Sequence, residues 1–239
     1  MPEFLDRALV LRRWDFRETS QVLALFTRSR GKVRALAKGI KRKNPKFSGP
    51  ADLLAEAEVL ILTRPRGAMA LLLECDLLEF FPGIRASRRR LLSGLHLART
   101  LDRLLADEEP HPDAFDAARE TLSALDAGAP PVESLVRFET TLLKTLGFAP
   151  SLDRCARCGA PPPAGVAPYD PAAGGVLCAP CAEAGRGFAR LSPSVRQTLL
   201  SLATFARPER VRIPAAEADA CHAVLDAAIR HHAGARPPL

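Results

Sequence analysis

The chain lacks the features that would mark it as a membrane protein or as an enzyme of a familiar class. It has no apolar run near the roughly 20 residues that a helix needs to cross a bilayer. A Walker loop, a GxGxxG fingerprint, an HExxH motif and a nucleophile elbow are all absent. A nuclease would need a cluster of carboxylates, and the acidic residues are scattered along the sequence. These absences favour a non-enzymatic protein without a membrane partner.

Aromatic residues that could stack on bases are also scarce. The chain has one tryptophan, Trp14, one tyrosine, Tyr169, and 11 phenylalanines, many of them at expected core positions. Proteins dedicated to single-stranded nucleic acid combine a basic groove with aromatic stacking platforms. A chain with so few of them is better suited to contacts with the phosphate backbone, which tolerate duplex as well as single strands.

Positive charge is concentrated at one end of the chain. Residues 1–50 carry 13 Lys and Arg against 4 Asp and Glu, whereas residues 51–239 carry 21 against 23. Such a field attracts a phosphate backbone, because each neutralised phosphate releases condensed counterions. A solvated basic loop is the alternative. We predict a DNA-binding surface made of Arg28, Arg30, Lys32, Arg34, Lys38, Lys41, Arg42, Lys43 and Lys46.

A second basic cluster opens the first long helix and consists of Arg85, Arg88, Arg89 and Arg90. We include it in the predicted DNA-binding set. It would either widen the basic face or receive an acidic peptide from a partner, and solvation of an exposed helix end is the third interpretation.

Four of the six cysteines form two close pairs, C-x2-C-x19-C-x2-C. Each pair can hold one side of a tetrahedral metal ion, and the spacer returns the second pair to close the shell. Four thiolates leave no open coordination position, so we predict one structural zinc ion per chain rather than a catalytic one. Two disulfides or a coincidental set of thiols are the alternatives. The predicted ligands are Cys155, Cys158, Cys178 and Cys181.

The first 80 residues alternate in the pattern of short β-strands divided by polar turns. Helix is the competing interpretation for Leu53–Leu62, which is rich in Leu, Ala and Glu. Five strands with a long connection between the third and fourth predict a closed barrel of OB type. The predicted strands are Ala8–Arg13, Gln21–Thr27, Lys32–Ala37, Ala57–Thr63 and Ala68–Leu78.

After Pro82-Gly83 the apolar residues recur at helical spacing. The fold class is therefore α+β: a five-stranded OB-type β-barrel, then an all-α helical domain with an inserted four-cysteine zinc element. Gly147 is placed to end one helix, and Ser192-Pro193 to begin another. The predicted domains are 1–80 (barrel), 81–150 (helical, first part), 151–187 (zinc element) and 188–239 (helical, second part).

The N-terminus has no apolar region or small-residue cleavage site of the kind found in signal peptides. Paired cysteines in a reducing compartment indicate a metal rather than disulfides. We therefore expect a cytoplasmic protein, associated with the nucleoid through DNA.

The sequence resembles the RecO family of bacterial recombination mediators, both in short motifs and in the order of its parts. The barrel, the helical body and the four-cysteine element between helices follow that family's layout. The short motifs are Arg17-Glu18-Thr19-Ser20, Leu25-Phe26-Thr27, Gly31 and Ala37-Lys38-Gly39.

This resemblance implies that the protein binds single- and double-stranded DNA and anneals complementary strands. It also implies partnership with RecR, contact with the acidic C-terminal tail of single-strand binding protein (SSB), and indirect assistance to RecA on SSB-coated DNA. From the residues alone one rival stays open. The chain could be a zinc-ribbon adaptor whose basic region holds an acidic protein.

Overall fold

The computed structural model describes residues 2–42, 47, 51–64, 68–183, 189–205 and 210–234. The predicted DNA-binding residues Lys43 and Lys46 lie outside the described residues, as do parts of the connections between the third, fourth and fifth predicted strands, residues 38–56 and 64–67. The chain divides into two units, Met1–Pro131 and Val132–Leu239. The predicted division into four domains stays a prediction.

A closed five-stranded barrel forms the first part of unit 1, which confirms the predicted OB-type fold. The strands are β1 (Glu3–Phe16), β2 (Ser20–Thr27), β3 (Gly31–Ala37), β4 (Glu56–Leu62) and β5 (Ala70–Glu79). They follow each other around the barrel in the order β1-β2-β3-β5-β4. Only the β3–β5 pair is parallel; the other four pairs are antiparallel.

Strand β1 is long because it belongs to two sides of the barrel. Its first half pairs with β4 and its second half with β2, and the register shifts between Val10 and Arg12. Such a bulge bends a strand and increases its twist, which lets the sheet close. The barrel core is formed by small and branched side chains, among them Ala8, Val10, Leu23, Leu25, Val33, Ala35, Val59, Ile61 and Leu72.

The helical interpretation of Leu53–Leu62 is wrong, since residues 56–62 form strand β4. Ala57, Val59 and Ile61 are buried in the barrel core and alternate along the strand. That period of two follows the pleat. Pairing with β1 and β5 on both sides outweighs the helix propensity of Leu, Ala and Glu.

Three helices complete unit 1: α1 (Pro82–Arg85), α2 (Arg88–Leu104) and α3 (Pro112–Asp126). The sequence predicted α2 and α3 but not the single-turn α1. Asp126, at the end of α3, accepts a hydrogen bond from the Ile84 backbone N–H at 3.0 Å. The side chain of Ile84 is fully buried, so α1 fixes the direction in which the chain leaves the barrel.

The barrel meets the connection between α2 and α3 at the beginning of β3. Gly31 has φ +71°, and a Cβ there would lie 2.0 Å from the Glu109 carbonyl oxygen, so only glycine fits. The Glu108 backbone N–H donates to the Lys32 carbonyl oxygen at 2.9 Å. The Lys32 side chain is 3% exposed, and its Nζ lies 3.3 Å from Asp107 Oδ1. Lys32, which the sequence predicts to bind DNA, is therefore buried and pairs with an aspartate of its own chain.

Unit 2 contains α4 (Pro131–Thr145, which begins at the last residue of unit 1), α5 (Ala179–Glu183), α6 (Pro193–Thr204) and α7 (Ala215–Gly234). The predicted ends are confirmed. Ser192 Oγ accepts from the Val195 N–H at 3.3 Å, and Gly147 closes α4 with φ +74°. Within the unit, the fully buried Glu139 carboxylate contacts His222 Nδ1 at 2.9 Å and raises the pKa of that imidazole.

A small antiparallel sheet between α4 and α6 was not predicted. Its strands β6 (Ala167–Asp170), β7 (Gly175–Val176) and β8 (Ala189–Leu191) are too short to produce a visible alternation, and they lie in the order β7-β6-β8. The central strand contributes Tyr169, whose buried hydroxyl donates to the Val224 carbonyl oxygen of α7 at 3.4 Å. The sheet therefore connects the four-cysteine segment to the helices of unit 2.

Candidate nucleic-acid interface and metal centre

The basic stretch of the sequence is divided in space by strand β3. Arg28 and Arg30 precede the strand, and Lys38 follows it. Seven residues at about 3.3 Å each separate the two ends by roughly 20 Å. The run that looks continuous in sequence therefore supplies cations to two opposite ends of one strand.

At the Ala37 end, the chain after β3 packs against the β1–β2 hairpin. The Lys41 N–H donates to the Thr19 carbonyl oxygen at 3.1 Å, and the Gly39 N–H donates to Ser20 Oγ at 3.3 Å. These bonds place three exposed cations beside the hairpin tip. We call Lys38, Lys41 and Arg42 the hairpin-end group.

The members of the hairpin-end group differ in their electrostatic surroundings. Lys41 Nζ lies 2.7 Å from Asp15 Oδ2. Hydrogen bonds from Lys41, and then from Gln21, hold the pKa of the Asp15 carboxyl below its usual value. Lys38 and Arg42 are exposed and form no ion pair within the part of the chain that the structure describes. An anion that binds Lys38 or Arg42 therefore does not have to displace a carboxylate of the described part of the chain.

Two aromatic rings lie at or near the tip of the same hairpin. Phe16 is 41% exposed, and the Arg17 guanidinium carbon lies 5.4 Å from the centre of its ring. Arg12 covers Trp14 in the same way at 4.7 Å. Phe16 was not predicted as part of the interface. It lies in the polar turn between the predicted strands Ala8–Arg13 and Gln21–Thr27, and an apolar ring in such a turn is the signal that could have located it.

Several of the predicted DNA-binding cations are engaged in contacts within unit 1. Arg28 donates twice to the Asp116 carboxylate, at 3.0 and 2.8 Å. Arg34 Nε lies 3.7 Å from Asp107 Oδ2. Such pairs leave the charge partly compensated, and the buried Lys32 offers no surface to a phosphate at all.

The second basic cluster divides into structural and exposed members. Arg85 donates to the Leu53 carbonyl oxygen at 2.7 Å and lies 3.9 Å from the centre of the Phe80 ring. Arg90 donates to the carbonyl oxygens of Gly83 and Asp126 at 3.0 and 3.2 Å, which compensates the negative end of helix α3. Arg88 and Arg89 are exposed on helix α2.

The four predicted zinc ligands come together in unit 2. Their four Sγ atoms all lie within 4.8 Å of one another, and the sulfurs of Cys158 and Cys178 are 3.5 Å apart. A tetrahedral ion with Zn–S bonds of about 2.3 Å separates its sulfurs by about 3.8 Å. The donor set and its spacing therefore fit one metal ion of the zinc type.

Two short turns bring the cysteines into position. The Gly159 N–H donates to the Cys155 carbonyl oxygen at 2.9 Å, and φ +74° at Gly159 lets the chain turn back at once. The second pair lies at the beginning of α5, where the Ala182 N–H donates to the Cys178 carbonyl oxygen at 3.0 Å. Each turn is the tight knuckle that the CxxC spacing predicts.

Electrostatics also favours a cation between these sulfurs. Backbone N–H groups, first that of Cys178, lower the pKa of the Cys155 thiol to about 6. The neighbouring thiols of Cys178 and Cys158 raise the pKa of Cys181 to about 12. The cluster thus accepts one thiolate easily and resists a further one, because hydrogen bonds with the neighbouring thiols keep Cys181 protonated and repulsion from the Cys155 thiolate adds to this. A divalent ion would remove that resistance.

Arg157, between the first two cysteines, holds the metal centre against the small sheet. It donates to the Cys181 carbonyl oxygen at 3.1 Å and to Asp170 Oδ2 of β6 at 2.9 Å. This pair could not be predicted from the sequence, because nothing there links Arg157 to Asp170 before the sheet is known.

Comparison with known proteins agrees with both parts of the molecule. Residues 1–81 match the family described as Recombination protein O N terminal, and residues 85–238 match Recombination protein O C terminal. The chain belongs to the RecO family. The DNA repair protein RecO of Anaeromyxobacter dehalogenans strain 2CP-1 is 33% identical over 242 residues, which cover 97% of this chain and 94% of that relative.

Two further RecO proteins show the same relationship. The DNA repair protein RecO of Myxococcus xanthus is 31% identical over 238 residues, 99% of this chain and 95% of the relative. That of Rhodopirellula baltica is 34% identical over 176 residues, 73% of this chain but 65% of the relative, less than two thirds of its length. The predicted family is confirmed. None of the described helices in this RecO-family chain combines the length and apolar character needed to cross a membrane.

Proposed function

We propose that this RecO-family chain is a non-enzymatic DNA-binding mediator of recombinational repair. It binds single- and double-stranded DNA, anneals complementary strands, and helps to load recombinase onto SSB-coated single strands. The observation that carries the proposal is the hairpin-end group, where Lys38 and Arg42 stand exposed next to the tip of the β1–β2 hairpin that also carries the exposed Phe16. RecR and, indirectly, RecA are the proposed protein partners. The relatives' name, DNA repair protein, supports the role in repair.

The proposed mechanism is electrostatic. Exposed Lys and Arg side chains neutralise phosphates and so reduce the repulsion between two strands while their bases pair. Lys41 takes part by exchanging Asp15 for a phosphate, and Lys43 and Lys46, next in the sequence, belong to the same proposed set. The guanidinium of Arg17 and the ring of Phe16 would contact unpaired bases, a contact that tolerates any sequence.

We also propose that the metal is one structural zinc ion held by Cys155, Cys158, Cys178 and Cys181. Zinc bound by four thiolates supplies folding energy. The segment between α4 and α6 depends on this energy, because it has only very short strands of its own. A closed shell leaves no position for a reacting water molecule, which agrees with a non-enzymatic role.

An annealing assay tests this function. The variant Lys38→Ala/Arg42→Ala should slow the annealing of complementary oligonucleotides more than it weakens binding to one strand, because annealing requires two backbones to be neutralised together. The matched control, Arg99→Ala/Arg103→Ala, removes the same charge from exposed positions of α2. Equal annealing rates for the wild type and the hairpin variant would contradict the proposal.

The SSB tail is proposed to bind the exposed face of α2. Arg88, Leu92 and Leu95 are spaced four and three residues apart, so they share this face, and both leucines are exposed, Leu92 by 54%. Such a mixture of cations and apolar groups suits an acidic peptide with apolar residues. Arg88→Ala/Arg89→Ala should weaken the tail peptide severalfold in fluorescence anisotropy and leave naked-DNA affinity nearly unchanged.

Arg90 is left out of that variant because it holds the end of α3. Equal losses for peptide and DNA would make Arg88 and Arg89 part of the DNA surface, and no loss for either ligand would leave them as solvated charges.

A further inference from the structure

A cavity of about 650 Å³ opens beside the first half of strand β3, away from the hairpin-end group. Strand β5 pairs with β3 only from Ala35 onward, where Ala35 faces Ala70. Among the residues that the structure describes, the preceding part of β3 has no strand neighbour on that side. The α2–α3 connection closes one wall there, through the hydrogen bond from the Glu108 N–H to the Lys32 carbonyl oxygen.

The lining of this cavity is basic. It includes four basic and two acidic side chains, and the acidic Asp107 is already shared by Lys32 and Arg34. Arg30 and Arg64 are exposed and form no ion pair among the described residues. Arg34 Nε is buried and lies 3.7 Å from Asp107 Oδ2, so its charge is already partly compensated. The cavity thus presents the uncompensated positive charge of Arg30 and Arg64.

Apolar surface lies next to these cations. The guanidinium carbon of Arg30 is 5.4 Å from the centre of the Phe4 ring, and Met69, 43% exposed, lies on the same lining. A flat ring bordered by arginines is the combination that binds a nucleobase together with its phosphate. The volume is in the range of about 300–1,000 Å³ typical of small-ligand sites, and it suits one nucleotide better than an extended peptide.

We propose that this cavity holds one unpaired nucleotide of a second DNA strand. Its base lies against Phe4 and Met69, and its phosphate lies between Arg30 and Arg64. The inference rests on the proposed DNA-binding function and extends it. The hairpin-end group and the cavity stand at opposite ends of β3, roughly 20 Å apart, so one barrel holds two strands at separate sites.

Stoichiometry tests the inference on the full chain. The probe is oligothymidylate of about four nucleotides, too short to span the roughly 20 Å between the two sites, with binding followed by fluorescence titration and calorimetry. The wild type should bind two oligonucleotides. Arg30→Ala/Arg64→Ala should bind one, and Lys38→Ala/Arg42→Ala should bind the other, while the charge-matched control Arg99→Ala/Arg103→Ala keeps both. Thermal melting of each variant checks that it is folded.

A second measurement locates the base. Oligothymidylate containing 5-iodouracil should crosslink to Phe4 or Met69 on irradiation, and Arg30→Ala/Arg64→Ala should remove that crosslink but leave those at the hairpin. One bound oligonucleotide in the wild type, lost only in the hairpin variant, would overturn the second site while the proposed function stands. Absence of any DNA binding would overturn both. If an acidic peptide displaces the probe from the cavity at a lower concentration than DNA does, the ligand of the cavity is a protein and the proposed nucleotide site is wrong.

Discussion

Replacing Cys155 with serine should release one equivalent of zinc from each chain and destabilise unit 2. Serine is a poor zinc ligand, and the other three thiols have no fourth partner within reach in the described part of the chain. Structural zinc supplies on the order of 10 kcal/mol in small domains at neutral pH, so loss of even part of it should lower the melting temperature markedly. Metal content by mass spectrometry and thermal melting measure the two effects.

Cys221→Ser is the matched control for this prediction. Cys221 is buried in α7 of the same unit, and burial raises the pKa of its thiol to about 11, as expected for an inert core residue. The control should lose some packing stability but keep its full metal content. A wild-type chain purified without metal, or a Cys155→Ser variant that retains it, would contradict the zinc assignment.

Lys32→Met should be the most destabilising single change on the basic stretch. It should lower the free energy of unfolding by about 2 kcal/mol, because it removes a buried hydrogen bond from a charged donor and leaves the acceptor unsatisfied. The groups affected are the Asp102 carbonyl oxygen, which accepts from Nζ at 2.5 Å, and the Asp102 carboxylate, 3.6 Å from Nζ and 17% exposed. Urea denaturation at neutral pH gives the measurement.

Lys41→Met serves as the comparison for Lys32→Met. It removes an exposed lysine from an ion pair with Asp15, and exposed pairs contribute little to stability. A loss as large for Lys41→Met as for Lys32→Met would show that burial does not distinguish the two lysines.

The parts of the fold that depend on local pattern could be predicted from the sequence. The barrel strands follow from alternation, α2 from its apolar stripe, and the cysteine spacing from the geometry of a tetrahedral ion. Ser192 begins α6 and Gly147 ends α4 as predicted, because a helix cap depends on one residue and its immediate neighbours.

The parts that depend on distant partners could not be predicted. In the sequence, Lys32 cannot be distinguished from its basic neighbours, because its partners Asp102 and Asp107 lie some 70 residues later and meet it only in the folded chain. Arg90 likewise cannot be distinguished from Arg88 and Arg89 in the sequence, because its contact with the end of α3 forms only in the folded chain. The small sheet of unit 2 is held by contacts between distant residues, Tyr169 with Val224 and Asp170 with Arg157. Its strands are too short to show the alternation of apolar and polar residues.

The central claim is that exposed cations at the Ala37 end of β3 bind the DNA backbone. Its most direct test is a salt titration of binding to a random single-stranded oligonucleotide, for the wild type, Lys38→Ala/Arg42→Ala and the charge-matched Arg99→Ala/Arg103→Ala. Each lost phosphate contact reduces the slope of log K against log salt by about 0.7. The hairpin variant should therefore show a slope smaller by roughly 1.4 and a uniformly lower affinity across sequences, whereas the control keeps the wild-type slope. A folded hairpin variant with the wild-type slope and affinity would contradict the account.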